Sequence, residues 1–160
     1  MIVIIMGVSG SGKTTVGQLL AQELSWKFYD ADDFHSAANK DKMWRGVPLT
    51  DEDRVDWLTS LQKLLNQKLE AKQSIVLACS ALKQDYRNLL RVNNEVRFVY
   101  LQGTYQQIEA RMKERNDHYM KPEMLASQFA ILEEPTDALI VDISKTQKEI
   151  AAMICKEWNL

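Results

Sequence analysis

Eight residues near the start of the chain, 7–14, have the types and spacing needed to bind phosphate. Their sequence, Gly-Val-Ser-Gly-Ser-Gly-Lys-Thr, matches the P-loop pattern G-x-x-x-x-G-K-[ST]. The glycines let successive backbone N–H groups converge on one phosphate. Lys13 would bring a positive charge to the β- and γ-phosphates of a nucleotide, and the Thr14 hydroxyl would coordinate Mg²⁺. The residues predicted to bind the nucleotide are Gly7, Val8, Ser9, Gly10, Ser11, Gly12, Lys13, Thr14 and Thr15. The pattern leaves the phosphoryl acceptor open.

A second polar cluster, Asp30-Ala-Asp-Asp-Phe-His35, follows a short predicted strand at residues 26–29. The carboxyl ends of parallel strands are where such sheets bind ligands. Mg²⁺ needs carboxylate, often through water, and a hydroxyl acceptor needs a base. A solvated acidic turn that also caps the next helix would explain the same residues. Because the cluster comes directly after a P-loop unit, we favour the catalytic interpretation.

Three cations further along the chain are candidates for holding an anionic substrate. Arg54 falls in the first turn of a predicted helix, where a cation opposes the helix dipole. A salt bridge to a nearby aspartate and an anionic substrate explain it equally well. Residues 80–87 predict the start of another helix, beginning at Ser80. Lys83 and Arg87 are spaced i,i+4 on it, which costs a little repulsion. An anion between them would account for that cost, and a solvated basic face is the other explanation.

The remaining sequence supplies the elements that must position these groups. Apolar segments at 1–6, 26–29, 74–79, 96–101 and 138–143 predict strands, and amphipathic segments between them predict helices. This alternation predicts a three-layer α/β/α fold with a five-stranded parallel sheet, in one domain spanning 1–160. Thr50 and Asp53 predict a capping box at the start of a long helix. A polar, cationic link at about 112–125 is a candidate helical lid, with Pro122 opening its second helix.

Composition limits the classes of partner. Twenty basic residues against 22 acidic ones give a net charge of −2, which offers no electrostatic case for nucleic acid or an anionic membrane. No apolar run approaches transmembrane length, and Met1 leads directly into a predicted core strand, so we expect no signal peptide. The two cysteines show no metal or redox spacing. We therefore expect a cytoplasmic protein with a small-molecule substrate. A homodimer is the oligomeric state that we consider.

Taken together, these stretches resemble the gluconate kinase family of small P-loop kinases, which is related in fold to shikimate and nucleoside-monophosphate kinases. The resemblance covers nearly the whole chain. It rests on the P-loop, 30–35, Asn39, Lys42, Met43, 46–54, 79–87, His118 and 127–135. The family phosphorylates the 6-hydroxyl of D-gluconate with MgATP, giving 6-phosphogluconate and ADP.

The resemblance also implies roles for individual residues. Asp32 would bind the reacting hydroxyl and accept its proton, and Asp30 would hold Mg²⁺ through water. Arg111 would stack on adenine, and Arg115, at the lid entrance, would meet the phosphates. The implied sugar-acid pocket is lined by Asp32, His35, Arg54, Lys83 and Arg87, with His118 contributed by the lid. Lys13, Asp32 and Arg115 are the implied catalytic residues, and Thr14 and Asp30 are the implied metal ligands.

Two departures from the family pattern stand out. Asp117 precedes the lid histidine where glycine is expected, and Asp56 precedes Trp57 where proline is expected. The first bears on lid geometry, and neither removes a proposed reacting group.

Two alternative functions stay open. A kinase of the same fold acting on shikimate or a nucleoside monophosphate is the nearer one. A P-loop switch is the other, although the Asn-Lys-x-Asp guanine motif of GTPases is missing from the sequence.

Overall fold

The computed structural model describes residues 1–114 and 122–160 as five strands, one 3₁₀ turn and seven helices. The strands are β1 (Ile2–Met6), β2 (Lys27–Asp30), β3 (Ile75–Ala78), β4 (Val96–Gln102) and β5 (Leu139–Asp142). The helices are α1 (Lys13–Leu24), α2 (Ala37–Trp44), α3 (Asp51–Glu70), α4 (Gln84–Leu90), α5 (Tyr105–Glu114), α6 (Pro122–Ile131) and α7 (Gln147–Trp158). The 3₁₀ turn, Ala31–Phe34, follows β2 directly.

The strands form one parallel sheet in the order β2-β3-β1-β4-β5, with β1 at its centre. Every side chain of β1 is fully buried, because the strand is covered on both faces. Ile2 and Ile4 belong to the core on the side of α3 and α4. Val3 and Ile5 belong to the core on the side of α1, α5 and α7. The predicted α/β/α architecture is therefore confirmed.

The two predicted helix starts that carry site residues had different outcomes. Thr50 and Asp53 form the predicted capping box, with hydrogen bonds of 3.1 and 2.9 Å, and α3 begins there. The helix predicted to begin at Ser80 instead begins at Gln84, with Lys83 at its N-cap. Ala81 has a φ of 46°, a left-handed conformation that turns the chain before α4 starts.

The polar loops meet at one edge of the sheet. The chain leaves β1, β2 and β3 at their carboxyl ends, so the P-loop, the acidic cluster and the turn after β3 lie side by side. Pro122 begins α6, as predicted. Residues 115–121 of the candidate lid, which include Arg115, Asp117 and His118, lie outside the described residues. Within the described part of the chain, no helix is long and apolar enough to cross a membrane.

Candidate active site

The P-loop joins β1 to α1 and ends in an uncapped helix start. Gly12 is the N-cap residue, and its φ of 99° is a left-handed conformation that a residue with a Cβ adopts only with strain. The first N–H groups of a helix have no acceptor within the helix. Because glycine has no side chain to cap them and the first turn of α1 holds no acidic residue, these donors stay available. The loop therefore presents amides and a helix dipole to an anion.

Lys13 folds back over its own loop. Its ammonium donates a 3.0 Å hydrogen bond to the backbone oxygen of Val8. Burial lowers the pKa of Lys13, while the charges of Asp32 and Asp30 act in the opposite direction. The positive charge is thus held between the loop and the acidic cluster, where a terminal phosphate would need it.

Asp30, the last residue of β2, is held in place by two hydrogen bonds. It accepts one of 2.9 Å from the backbone N–H of Asp32 and one of 3.3 Å from the Thr14 hydroxyl. A hydroxyl and a carboxylate side by side suit Mg²⁺, which takes few protein oxygens and fills its shell with water and phosphate. Among the described residues, no group of three or more His, Cys, Asp or Glu side chains forms a metal cage. The donor set fits a nucleotide-bound Mg²⁺.

Asp32 lies in the 3₁₀ turn and faces the same cavity as Lys13. Its surface is open to the water of the cavity, but protein atoms crowd it on the other sides. Burial is the main cause that raises the pKa of Asp32, the neighbouring Asp30 charge adds to the rise, and Lys13 opposes it. A carboxylate with a raised pKa is a stronger base, which suits proton abstraction from a hydroxyl.

One cavity of about 630 Å³ connects the P-loop with the acidic cluster and the start of α3. Its size is that of a small-molecule site. The predicted site residues that line it are Ser9, Gly10, Gly12, Lys13, Thr14, Thr15, Asp30, Asp32, His35 and Arg54. Residues from three distant segments of the sequence are thus brought to one space.

His35 lines the cavity as a neutral side chain. Its ring stacks on Trp57 with a centroid distance of 4.4 Å and an interplanar angle of 10°. The Trp57 indole is itself fixed, since it donates a 2.7 Å hydrogen bond to the backbone oxygen of Ala31. Burial, with smaller contributions from the charges of Arg54 and Lys40, lowers the pKa of His35 to about 4. His35 therefore contributes hydrogen bonding to the site but no charge at neutral pH.

Arg54 is the predicted acceptor-side cation that does line the cavity. It donates a 3.2 Å hydrogen bond to the Tyr86 hydroxyl and lies over the Tyr86 ring at 5.5 Å. Tyr86 in turn hydrogen-bonds Asp51. This chain of contacts orients the guanidinium. No carboxylate of residues 1–114 or 122–160 pairs with it directly, which leaves donors for an anionic ligand.

Lys83 does not line the cavity, so its contact with the acceptor stays a prediction. Its ammonium lies 2.8 and 2.9 Å from the two carboxylate oxygens of Asp51. This hydrogen bonding raises the pKa of Lys83. The late start of α4 explains the result, because it places Lys83 at the helix N-cap and directs it toward the first turn of α3.

Arg87 does not line the cavity either, and its contact with the acceptor also stays a prediction. Its side chain is only 1% exposed, and it donates hydrogen bonds of 2.8, 3.1 and 2.7 Å to the backbone oxygens of Ala81, Leu82 and Glu133. These three backbone carbonyls are strong acceptors and hold the two terminal nitrogens of the buried guanidinium. Arg87 therefore fastens the turn after β3 to the segment after α6, behind the site.

The other predicted site residues have the following places. Gly7, Val8 and Ser11 belong to the loop but lie behind its cavity surface. Arg111 hydrogen-bonds the backbone oxygen of Ile143 and lies beside Gly12, and its contact with adenine stays a prediction. Arg115 and His118 are outside the described residues, and Asp56 is exposed on α3.

One face of α6 also lines the cavity, and sequence reasoning gave it no role. Its lining residues are Met124, Ser127, Gln128 and Ile131. The Gln128 side chain accepts a 2.8 Å hydrogen bond from the backbone N–H of Ser9 and donates one of 3.1 Å to its hydroxyl. The i, i+3, i+4, i+7 spacing of these four residues places them on one helical face and could have indicated a shared role. The spacing does not predict that the polar residue Gln128 contacts Ser9.

A P-loop and a carboxylate with a raised pKa that share one cavity define this protein as a P-loop kinase of a small acceptor. Comparisons with known proteins narrow the class. The family profile described as shikimate kinase matches residues 9–158. The chain is 43% identical to a probable gluconokinase from Rattus norvegicus, over 96% of this chain and 95% of that one.

Two solved structures agree with this result. A gluconokinase from Sinorhizobium meliloti 1021 is 33% identical, covers 98% of this chain and 94% of its own, and superposes with a TM-score of 0.85. A sugar kinase from Janibacter sp. HTCC2649 is 40% identical, covers 97% and 92%, and has a TM-score of 0.90. The chain belongs to the gluconokinase family, within the wider group that the shikimate kinase profile describes.

Proposed function

We propose that this protein is a gluconokinase, which transfers the γ-phosphoryl group of ATP to the 6-hydroxyl of D-gluconate and releases 6-phosphogluconate and ADP. The observation that carries the proposal is the single cavity in which Lys13, Asp32 and Arg54 meet. The 43% identity to a probable gluconokinase over almost the full chain supports the choice of acceptor.

On the nucleotide side, the loop amides and Lys13 would hold the β- and γ-phosphates of ATP. The Thr14 hydroxyl, and Asp30 through water, would hold Mg²⁺. When bound, Mg²⁺ neutralises charge that develops between the β- and γ-phosphates. Thr14 and Asp30 are already in hydrogen-bond contact, so their oxygens need little rearrangement.

On the acceptor side, Asp32 would bind the 6-hydroxyl and orient its oxygen toward the γ-phosphorus. As the new O–P bond forms, the hydroxyl proton passes to the Asp32 carboxylate, and the bond from phosphorus to the bridging oxygen breaks to free ADP. The raised pKa of Asp32 favours this role. Arg115 stays a predicted contact to the transferring phosphate.

Recognition of an acid falls to Arg54. Gluconate needs a cation at its carboxylate end and hydrogen-bonding groups along its hydroxyls. Among the described residues that line the cavity, Lys13 and Arg54 are the cations, and Lys13 lies at the P-loop. Arg54 is therefore the candidate partner of the carboxylate, with neutral His35 beside it for a hydroxyl.

We place the enzyme in the cytoplasm, where ATP is abundant and thiols stay reduced. Both cysteines, Cys79 and Cys155, are free. Burial raises the pKa of Cys79 to about 12, so this thiol beside the active site stays protonated and unreactive.

The test is ADP release measured with gluconate, shikimate, a nucleoside monophosphate and sorbitol as acceptors. We expect gluconate to be strongly preferred and Lys13→Ala to abolish the activity, because the lysine neutralises charge on the transferring group. Shikimate is included because its kinases share the matching profile. Preference for shikimate or the nucleoside monophosphate would overturn the assignment of gluconate as the acceptor. ATP hydrolysis that no acceptor stimulates would favour a P-loop switch.

A further inference from the structure

Asn39, a buried residue of α2 without an assigned role, faces the start of α3 beside the acceptor pocket. Its side-chain nitrogen donates a 2.7 Å hydrogen bond to the backbone oxygen of Asp53. The same nitrogen lies 3.3 Å from Nδ1 of His35. These two contacts determine which ring nitrogen of His35 carries the proton.

The orientation of the Asn39 amide follows from its shorter contact. A backbone carbonyl only accepts hydrogen bonds, so the group 2.7 Å from the Asp53 oxygen must be the NH₂ and not the amide oxygen. That NH₂ has a second hydrogen, which faces Nδ1 of His35. A ring nitrogen that meets a donor must be the acceptor. Nδ1 is therefore unprotonated, and the neutral ring carries its hydrogen on Nε2.

The carbonyl that sets this orientation is itself firmly held. Asp53 forms the capping box with Thr50 and lies 2.9 and 3.0 Å from the ammonium of Lys42 through its two carboxylate oxygens. Its hydrogen bonds, the backbone one to Thr50 first and then that to Lys42, lower the pKa of Asp53 to about 2, so the carboxylate stays charged. Lys42 and Asn39 both belong to α2, so two contacts join α2 to the start of α3.

The remaining sides of the imidazole are also defined. One face stacks on Trp57, and Nδ1 is occupied by Asn39. Nε2 has no hydrogen-bond partner within residues 1–114 and 122–160, and His35 lines the cavity. The charged side chains that act on the ring, Arg54 and Lys40, both disfavour its protonation. The ring thus offers the cavity one N–H donor.

We propose that Asn39 is a positioning residue for acceptor specificity, because it holds His35 as the neutral Nε2–H tautomer. In this form His35 donates one hydrogen bond to a hydroxyl oxygen of the acceptor. Because the ring is neutral, it does not attract the carboxylate of the acceptor. A site built to bond a hydroxyl discriminates against analogues that lack it. The assignment of a polyhydroxy acid as the acceptor rests on the proposed function, and the tautomer does not.

The first measurement is the tautomer itself. Two-bond ¹H–¹⁵N correlation spectra of the ¹⁵N-labelled, ligand-free protein distinguish the Nε2–H from the Nδ1–H form, and the spectrum of His35→Gln assigns the signals. We expect the Nε2–H pattern at pH 7. An Nδ1–H or doubly protonated ring would overturn the proposal even if the enzyme phosphorylates gluconate. A correct tautomer in a protein that ignores gluconate would instead count against the proposed function.

The second measurement tests the consequence for specificity. Asn39→Asp places a carboxylate oxygen where the NH₂ donor stood, which should draw the ring hydrogen to Nδ1 and leave Nε2 without a hydrogen to donate. We expect kcat/KM for gluconate to fall about 3–10-fold, the loss of one neutral hydrogen bond, with the KM for ATP unchanged. The same change at the exposed, distant Asn94 is the matched control and should have no effect.

A double-mutant cycle separates positioning from a purely structural role. If Asn39 acts through His35, Asn39→Asp should cost little more in a His35→Gln background, where no imidazole is left to position. The discrimination between gluconate and its single-deoxy analogues should shrink in Asn39→Asp and in His35→Gln alike. Asn39→Asp could instead lower kcat/KM for gluconate equally in both backgrounds and leave the ¹⁵N shifts of the His35 ring as in the wild type. Asn39 would then be only a packing residue.

Discussion

The nucleotide side and the acceptor side of the cavity are built in different ways. The nucleotide side comes from one contiguous stretch, 7–15, whose binding groups are mainly backbone amides. The acceptor side collects side chains from the 3₁₀ turn, α2, α3 and α6. The backbone amides of a P-loop can bind phosphate because of the local conformation of the loop. Each side chain on the acceptor side contributes only if its own contacts direct it into the cavity. Four predictions test this contrast.

The largest expected effect is at the junction of the two sides. Asp32→Asn keeps the shape of the side chain but cannot accept the hydroxyl proton, so kcat should fall about 10²–10⁴-fold with the KM for ATP nearly unchanged. Asp33→Asn, the same change one residue later, should leave kcat within about threefold because Asp33 is not among the described residues that line the cavity. A cost that appears only in the KM for ATP would place Asp32 at the metal and Asp30 at the hydroxyl.

The next effect concerns stability and pH. The pKa of His35 is lowered from 6.5 to about 4 in the folded protein. Between pH 4 and 6.5, therefore, His35 is protonated in the unfolded chain but not in the folded protein. The free energy of unfolding should therefore fall as the pH is lowered from about 6.5 to 4, by about 3 kcal/mol in total from this buried group, and the contribution should be constant above and below that window.

The measurement for His35 is urea unfolding at several pH values. His35→Gln, which cannot titrate, should lose this part of the pH dependence, while the second histidine of the chain contributes equally to both proteins. Parallel curves for the two proteins would show that His35 titrates normally in the folded state.

The acceptor-side cations give an intermediate effect. Arg54→Ala should raise the KM for gluconate about 10–100-fold, the loss of one charge-assisted hydrogen bond, with little change in the KM for ATP. Lys83→Ala should have a much smaller effect, because Lys83 is paired with Asp51 away from the cavity. Steady-state kinetics with gluconate, sorbitol and ATP make the comparison. The reverse order of the two effects would support the sequence-based assignment of Lys83 to the acceptor pocket.

The smallest effect tests whether the nucleotide side is as self-contained as its sequence suggests. Gln128→Ala removes both hydrogen bonds to Ser9, so the KM for ATP should rise about 3–10-fold through a less ordered loop. Ser9→Ala should add little to the KM for ATP in the Gln128→Ala background, since the hydrogen bond of the Ser9 hydroxyl to Gln128 is already lost there. Glu123→Gln, an exposed change on the same helix, is the control. Additive effects of the two substitutions would mean that Gln128 acts elsewhere.

Much of the fold and half of the site follow from short-range information. Runs such as Ile2–Met6 predict a central strand because only a doubly covered strand is apolar at every position. Thr50 and Asp53 predict their capping box because both partners lie within one helical turn. Asp30 and Asp32 were placed near the P-loop only because they follow a predicted strand. The carboxyl ends of all parallel strands lie at the same edge of a sheet.

The sequence by itself determined the P-loop, the strand segments and the acidic cluster, because each depends on neighbours along the chain. Tertiary structure decided the fate of the cations. Lys83, Arg87 and Arg54 have the same charge and similar local surroundings, but one meets Asp51, one meets three backbone carbonyls and one faces the cavity. A long cationic side chain goes to whichever acceptor the fold brings within reach, and those acceptors lie 5 to 46 residues away in the sequence.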